Sequence, residues 1–275
     1  MIEIPEAAVL SRQITEVLAG KSIVSVAAKQ SPHKFAWFYG DTDDYDRLMR
    51  GRRIEGAVAV GSFVEVRAGK TRALFSEGIN LRFHDSDATL PGKHQLLIGF
   101  KGGGYLCASV QMYGGMGCFT AGENDNPYYL LAQEKPAVGA KGFSYAYFRK
   151  LVREVSLQKK SAKAVLATEQ RIPGLGNGVL QDVLYNARIH PKRKLGTVDD
   201  GVLRGLYDSI RTTLAAMTDA GGRDTENDLF GRPGGYVTKC SKNTVGAPCP
   251  RCGEAIEKKS YMGGSVYYCP GCQSE

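Results

Sequence analysis

The spacing of apolar residues predicts that the chain opens with one amphipathic helix. Between residues 7 and 19, apolar side chains recur every three or four positions from Val9 to Leu18, which places them on one helical face. Gly20 follows directly, where a glycine commonly ends a helix in the left-handed conformation. We therefore expect a single helix ahead of everything else in the fold.

From about residue 22 to residue 119 the pattern changes to short runs typical of β-strands. The runs are rich in Val, Ile, Leu and aromatic residues, and turns such as Lys101-Gly102-Gly103-Gly104 separate them. Many short strands with turn signals between them indicate a β-sandwich or a barrel. The clearest predicted strands are residues 23–26, 62–66, 95–100 and 105–107.

The second half of the chain has a helical pattern. Residues 120–141 lose any regular period and collect Gly, Asn, Pro and Glu, which predicts a connection between domains. Helices are predicted at 144–155, 161–170, 178–187 and 199–219, and a Gly-rich, charged loop without an element of its own follows at 221–236. The predicted division is an N-terminal sandwich domain at 1–125, a linker at 126–143, a helical domain at 144–239 and a metal-binding module at 240–275.

Four cysteines near the C-terminus stand at the spacing of a zinc site. They form two C-x2-C pairs separated by 16 residues, and two such turns can close a tetrahedral thiolate site. Strands predicted at 255–257 and 265–268, with a turn at Met262-Gly263-Gly264, make the module a zinc ribbon. Four cysteine ligands leave no open position, so we expect one structural Zn²⁺ ion; the alternative is two chance pairs of buried thiols. The predicted ligands are Cys249, Cys252, Cys269 and Cys272.

Charge and composition narrow the choice of partner. The formal net charge of +8 favours a polyanion such as nucleic acid, although many basic proteins bind none. No apolar run reaches the roughly 18 residues of a membrane span, and the first residues are acidic where a signal peptide is basic. Cysteines at metal spacing fit a reducing compartment, so we expect a cytoplasmic protein, nucleoid-associated if bacterial, with no membrane partner.

The segment from Glu169 to Asn177, Glu-Gln-Arg-Ile-Pro-Gly-Leu-Gly-Asn, predicts a tight connection between two helices. Gly174 and Gly176 permit close backbone turns, Asn177 can cap the second helix, and free amides at that helix start suit a phosphate. A plain turn between helices is the alternative.

Continued by Gly178-Val179-Leu180-Gln181-Asp182, this stretch resembles the helix-two-turn-helix of the formamidopyrimidine-DNA glycosylase and endonuclease VIII family. The resemblance extends along the whole chain. Glu3, Pro5 and Glu6 match the family's opening Pro-Glu-Leu-Pro-Glu, and Gly246-Ala247-Pro248-Cys249 matches the entry to its zinc ribbon. Lys163 lies fourteen residues before Asn177, where family members carry a lysine near the lesion pocket.

The resemblance implies an α+β multidomain fold: an N-terminal helix plus β-sandwich, a helix-two-turn-helix domain and a C-terminal zinc ribbon. It implies a monomer that clamps damaged double-stranded DNA and takes one base out of the stack. The implied activity is a DNA N-glycosylase, with an AP-lyase step as an option. Glu3 would be the acid–base residue, Lys163, Gly176 and Asn177 would contact DNA, and the loop from Gly221 would cover the everted base.

Several positions depart from the family pattern. The family's nucleophile is a proline exposed by removal of the initiator Met, whereas this chain has Ile2 there, so Met1 is expected to stay and to offer its primary amine. The arginine of the zinc hairpin is replaced by Gly264, and the residues that fill the void left by the base become 111–117. Lys258 and Lys259 are the nearest candidates to replace lost phosphate contacts.

Three functions follow from this comparison. The first is a glycosylase in which Glu3 assists either the Met1 amine or a water activated by Glu3 and Glu6. The second is a lesion- or structure-specific DNA-binding protein without catalysis, and the third is a clamp that has moved to another nucleic acid or to a protein. For the two glutamates, the alternative is acidic residues that merely favour a helix N-terminus.

Overall fold

The first helix begins earlier than its hydrophobic spacing predicted. The computed structural model describes residues 1–274, apart from the side chain of Thr197. Helix α1 (Ile4–Leu18) starts three residues before the predicted position, since Pro5 is tolerated in a first helical turn. Glu3 is the N-cap residue, and its backbone N–H donates to Glu6 Oε2 at 3.2 Å. At the other end Gly20 has a φ of +86°, as expected of a terminating glycine.

The strand-rich stretch forms two sheets, which confirms the predicted sandwich. The first sheet contains β1 (Ile23–Ala28), β6 (Ile79–His84), β7 (Leu96–Phe100) and β8 (Tyr105–Val110). The second contains β2 (Ala36–Tyr39), β3 (Gly56–Val60), β4 (Phe63–Ala68), β5 (Thr71–Phe75) and β9 (Gly114–Thr120). Their orders are β1-β7-β8-β6 and β2-β9-β5-β4-β3, and only the β2–β9 pair is parallel. A short helix, α2 (Tyr45–Met49), connects β2 to β3.

One apolar core lies between α1 and the two sheets. Ile14 from α1, Phe75 from the second sheet and Leu96 from the first are all fully buried in it. Most strands contribute alternate residues to this core, as Val64, Val66 and Ala68 of β4 do, because successive side chains of a strand point to opposite faces. The N-terminal helix is therefore held on the sandwich by apolar packing.

The segment predicted as a linker contains a helix that the pattern did not reveal. Asn126 is the N-cap residue of helix α3 (Pro127–Glu134), and its side chain accepts hydrogen bonds from the amides of Tyr128 and Tyr129. Tyr129 packs edge-on against Phe63 and Phe119 of the second sheet. The spacing of apolar residues did not reveal helix α3 because Tyr129 is its only buried residue.

Four further helices surround a second apolar core, as the helical pattern predicted. They are α4 (Tyr145–Val152), α5 (Ala162–Leu166), α6 (Asn177–Asn186) and α7 (Asp200–Asp219). Helix α4 ends three residues before its predicted end. Helix α5 stops at Leu166 rather than residue 170, because Glu169 and Gln170 adopt positive φ angles of 56° and 47°.

The C-terminal module is a two-stranded hairpin. Strands β10 (Glu257–Tyr261) and β11 (Gly264–Tyr268) pair antiparallel, so the first strand starts two residues later than predicted. Met262 and Gly263 form the turn with φ angles of 52° and 72°, the two left-handed residues that a tight hairpin needs. Among the described residues, no helix combines the length and the apolar character that crossing a membrane requires.

The 221–236 segment joins the two cores. It starts after α7 in the helical part, yet Leu229 is completely buried in the core of the sandwich. The Phe83 amide donates to the Leu229 carbonyl at 2.9 Å, and the Leu229 amide donates to Gln13 Oε1 at 2.9 Å. The expectation of a segment without a helix or strand is confirmed, but Leu229 anchors the middle of the segment to the sandwich.

We predict that Leu229→Ala lowers the free energy of unfolding by about 2–5 kcal/mol, the usual range for a buried leucine. Urea denaturation followed by circular dichroism measures the change. Val237→Ala, at a side chain that is 71% exposed, is the matched control and should change stability by less than about 0.5 kcal/mol. Equal effects of the two changes would show that Leu229 does not anchor the segment.

Candidate active site at the junction of the two cores

The Glu3 side chain connects the start of α1 to the start of α6. Its Oε1 accepts a hydrogen bond from the Gly178 amide and its Oε2 one from the Val179 amide, both at 2.8 Å. A carboxylate is favourable at a helix N-terminus because the helix dipole is positive there. The sequence suggested that free amides at this helix start would hold a phosphate, and that was wrong for these two amides, because Glu3 occupies them.

Arg223, from the 221–236 segment, lies between Glu3 and Glu6. Its Nε donates to Glu6 Oε1 at 2.9 Å and its Nη2 to Glu6 Oε2 at 2.7 Å, a two-point fork on one carboxylate. Its Nη1 is 3.8 Å from Glu3 Oε1, and its Nη2 also donates to the Met1 carbonyl at 3.4 Å. All three side chains are at most 5% exposed. We call Glu3, Glu6 and Arg223 the buried carboxylate–arginine cluster.

The two glutamates of this cluster differ in how readily they ionise. Burial raises the pKa of Glu3 and the nearby Glu6 carboxylate raises it further, while the charge of Arg223 and the hydrogen bonds from the Val179 and Gly178 amides offset these effects only in part. Burial alone would also raise the pKa of Glu6, but the charge and hydrogen bonds of Arg223 outweigh it and the pKa falls below its ordinary value. When the pKa values of two neighbouring carboxyls differ in this direction, the one with the raised pKa can carry a proton and the other can stay ionised.

Glycines at the start of α6 make room for this cluster. A Cβ on Gly178 would lie 1.9 Å from Arg223 Nη1, and one on Gly176 would lie 2.6 Å from Glu3 Cδ. Gly176 is the N-cap residue of α6, where the sequence analysis had placed Asn177 as the cap. Asn177 is instead the first residue of α6, and its side-chain amide donates to the Ser265 carbonyl of the hairpin at 3.0 Å.

The N-terminal amine lies beside the same cluster. Met1 N forms an ion pair with Glu226, from the segment that supplies Arg223, and Met1 Sδ is 3.8 Å from the Tyr113 hydroxyl. Ile2, by contrast, is only 3% exposed and belongs to the core of the sandwich. The amine is therefore held at a partly exposed position by an acidic residue that the sequence analysis did not single out.

Lys163 and Asn177 converge on the hairpin from the helical side. Lys163 Nζ donates to the Tyr261 carbonyl at 2.7 Å. A Cβ on Gly264 would lie 3.5 Å from Lys163 Nζ and 3.9 Å from Asn177 Nδ2, so a small residue leaves open space beside two nitrogen donors. Lys258 and Lys259 lie exposed on β10, and Lys259 pairs with Glu257 at 3.1 Å.

The four predicted cysteine ligands converge and could hold a metal ion. Their sulfur atoms all lie within 4.8 Å of one another, with the Cys249–Cys272 pair at 3.8 Å and the Cys252–Cys269 pair at 3.3 Å. Sulfurs about 3.8 Å apart are what a tetrahedron of 2.3 Å metal–sulfur bonds requires. The remaining cysteines, Cys107, Cys118 and Cys240, are buried outside this set.

The chain is similar over its whole length to glycosylases of one kind. It is 26% identical to the formamidopyrimidine-DNA glycosylase of Thermus thermophilus over 302 residues, which covers 100% of this chain and 99% of that protein. It is also 26% identical to the formamidopyrimidine-DNA glycosylase of Novosphingobium aromaticivorans, over 99% and 100% of the two chains. No protein-family model matches the chain.

The fold matches solved structures over the same extent. The Lactococcus lactis Fpg protein in complex with DNA containing an abasic site superposes with a TM-score of 0.84, at 23% identity, over 99% of this chain and 100% of that one. The chain belongs to the formamidopyrimidine-DNA glycosylase and endonuclease VIII family. The α+β architecture expected from the resemblance is confirmed.

Two positions in this site differ from the residues expected of the family. The resemblance assigns Ile2 to the position of the family's proline, and the Ile2 side chain is buried in the sandwich core. It assigns Gly264 to the position of the hairpin arginine, and a Cβ at Gly264 would lie near Lys163 Nζ and Asn177 Nδ2. These are the two positions at which the resemblance predicts a difference from the family's site.

Arg223 is the site residue that sequence reasoning missed. The family resemblance placed Arg223 in the loop that covers an everted base and gave it no role in the site. Its partners lie more than 200 positions away in sequence, at Glu3 and Glu6. The available signal was Gly178, since a glycine at the second position of a helix indicates that another group approaches closely.

We predict that Gly178→Ala destabilises the protein by about 1–3 kcal/mol, since the new Cβ would displace Arg223 from the cluster. Gly205→Ala on α7 is the matched control, because no atom lies within 4 Å of its added Cβ. That control should stabilise by about 0.5–1 kcal/mol through helix propensity alone. Chemical denaturation of both variants checks the prediction, and stabilisation by both would contradict it.

Proposed function

We propose that this protein is a DNA N-glycosylase of base-excision repair, acting on a damaged base everted from double-stranded DNA. The observation that carries the proposal is the convergence of Glu3 and the Met1 amine at the junction of the two cores. The relatives named formamidopyrimidine-DNA glycosylase and the complexes of similar structures with abasic-site DNA support it. We further propose a monomer that works in the cytoplasm, associated with the nucleoid if bacterial.

In the proposed reaction the Met1 ammonium group first gives a proton to its ion-pair partner Glu226, and the free amine then attacks C1′ of the damaged nucleotide. The new C–N bond forms as the N-glycosidic bond breaks, and the base leaves with the bonding electron pair and takes up a proton. Glu3 then gives a proton to the ring oxygen of the deoxyribose, the C1′–O4′ bond opens, and the amine nitrogen releases its protons to leave an imine. Activation of water by Glu3 and Glu6 is less favoured, because Arg223 occupies both oxygens of Glu6.

The proposed DNA contacts surround this junction. Lys163 and Asn177 would bind the backbone phosphate beside the lesion, within the space left by Gly264, and Gly176 would let the strand approach the start of α6. Lys258 and Lys259 would contact phosphates further along the duplex. The division into a sandwich domain (1–125), a linker (126–143), a helical domain (144–239) and a ribbon (240–275) is likewise proposed, with the linker's helix α3 packed on the sandwich.

One observation favours a second candidate, a lesion- or structure-specific DNA-binding protein without catalysis. The nitrogen at the family's nucleophile position is the peptide nitrogen of Ile2, and a peptide nitrogen is not nucleophilic. If the Met1 amine does not reach C1′, the clamp would bind DNA without cleaving the glycosidic bond. The two candidates differ in whether a covalent adduct forms.

The proposal is tested by borohydride trapping on duplexes that carry an abasic site or an oxidised base. We expect a trapped adduct and base release, both reduced on the order of 100-fold or more in Glu3→Gln, because the acid–base group is lost. Mass spectrometry of the adduct should place the DNA on the Met1 amine. Glu123→Gln makes the same charge change at an exposed site and should leave both adduct formation and base release unchanged. Binding without any adduct would instead establish the second candidate.

We also propose that the four cysteines hold one structural Zn²⁺ ion, because four thiolates are the donor set that zinc prefers in a closed site. Metal analysis should find one zinc per chain, and Cys249→Ala should lose it whereas Cys107→Ala, in the sandwich, should retain it. Since such modules fold on their metal, chelation should abolish DNA binding before the sandwich unfolds. DNA binding that survives metal removal would exclude the ribbon from the DNA interface.

A further inference from the structure

The buried carboxylate–arginine cluster holds more negative than positive groups. Two further carboxyls lie beside Glu3 and Glu6: Glu226, from the 221–236 segment, pairs with the Met1 amine, and the charge of Glu77, at the turn before β6, acts on both Glu3 and the Met1 amine. The cations facing these four carboxyls are Arg223, the Met1 amine and, toward Glu226, Arg82, so three positive groups face four carboxyls. Full ionisation would leave an uncompensated charge in a largely buried site, which is costly, so at least one carboxyl there retains its proton more readily than usual.

The contacts of the four carboxyls indicate which of them retains its proton. Glu6 takes the two-point fork of Arg223, with contacts of 2.9 and 2.7 Å, and Glu226 pairs directly with the amine. Glu3 is left with a 3.8 Å approach to Arg223 and with two backbone amides, which are neutral donors. Glu77 is less enclosed than Glu3, so solvent can stabilise its charge. Of the two fully buried carboxyls in this group, Glu3 therefore has the weaker cationic contact.

We propose that Arg223 and Glu6 are positioning residues that keep a proton on Glu3. Among the described residues, Arg223 is the one buried guanidinium at this junction, and Glu6 occupies it. Glu3 therefore remains an acid. The inference rests on the proposed function, since it assigns the origin of the proton that Glu3 gives to the deoxyribose ring oxygen. Neither Arg223 nor Glu6 touches the reacting atoms in this scheme. The backbone amides of α6 fix where the Glu3 carboxyl points.

The decisive variant is Glu6→Gln, which keeps the shape of Glu6 but releases the charge of Arg223 to Glu3. Glu3 should then ionise, so base release at pH 7 should fall on the order of 100-fold, the lower end of an acid–base contribution. Activity should recover as the pH is lowered and Glu3 regains its proton. Glu3→Gln should be inactive at every pH, because no proton is available. Affinity for duplex DNA with a tetrahydrofuran abasic analogue should stay within about twofold in both variants.

A pH profile of Glu6→Gln that matches the wild type would overturn the inference, and so would a loss that no pH restores. Glu123→Gln, an exposed change of the same charge, is the matched control and should leave the profile unshifted.

A second measurement needs neither DNA nor a stable Glu6 variant. In wild-type protein with ¹³C-labelled glutamate carboxyls, the Glu3 signal, assigned by its absence in Glu3→Gln, should titrate at higher pH than the Glu6 signal. The reverse order would overturn the inference whatever the enzymatic result. Absence of base release by the wild type, together with the expected titration order, would remove the proposed function and leave the assignment of the proton intact.

Discussion

The contact on which the site depends is the buried fork between Arg223 and Glu6. It joins the first turn of α1 to the 221–236 segment, and the same arginine borders Glu3 and the start of α6. Three parts of the chain that are far apart in sequence are therefore positioned by one guanidinium. Because the groups are almost completely buried, removing one partner would leave an uncompensated charge, which typically costs about 3–5 kcal/mol.

The close approach of this cluster to α6 explains several otherwise unrelated residues. Gly176 and Gly178 lack side chains because Glu3 and Arg223 occupy the space where a Cβ would stand. Leu229 is buried in the sandwich although its segment follows α7, and this fixes the segment that delivers Arg223. The family resemblance suggested a loop that covers an everted base, but in this protein the segment is held at its two ends by polar contacts and in its middle by an apolar anchor. Any motion that opens the site must break these contacts or move the two cores together.

Sequence reasoning succeeded where the relevant interactions are local. The cysteine pairs, the hairpin turn at Met262 and Gly263, and the amphipathic helices all follow from spacings of a few residues, and the structure confirms them. It failed where distant segments decide the outcome. Asn177 has the chemistry of a helix cap, but the Glu3 carboxylate already satisfies the amides it would have capped. Helix α5 ends early although its apolar period continues, because Glu169 and Gln170 adopt left-handed conformations that the period does not reveal.

The change at the N-terminus alters what the rest of the site must supply. A proline nitrogen is a secondary amine, so its adduct with C1′ is an iminium ion that carries a positive charge without binding a proton. A primary amine such as that of Met1 yields a neutral imine, which withdraws electrons effectively only after it is protonated. A site that uses Met1 therefore needs a proton held close to the nitrogen during the reaction. In the proposed scheme Glu3 gives its own proton to the ring oxygen, so the proton for the imine would come from Glu226, the ion-pair partner of the Met1 amine. In the proposed scheme the two features are complementary: the Met1 primary amine is the nucleophile, and the proton held by Glu3 opens the deoxyribose ring so that the imine can form.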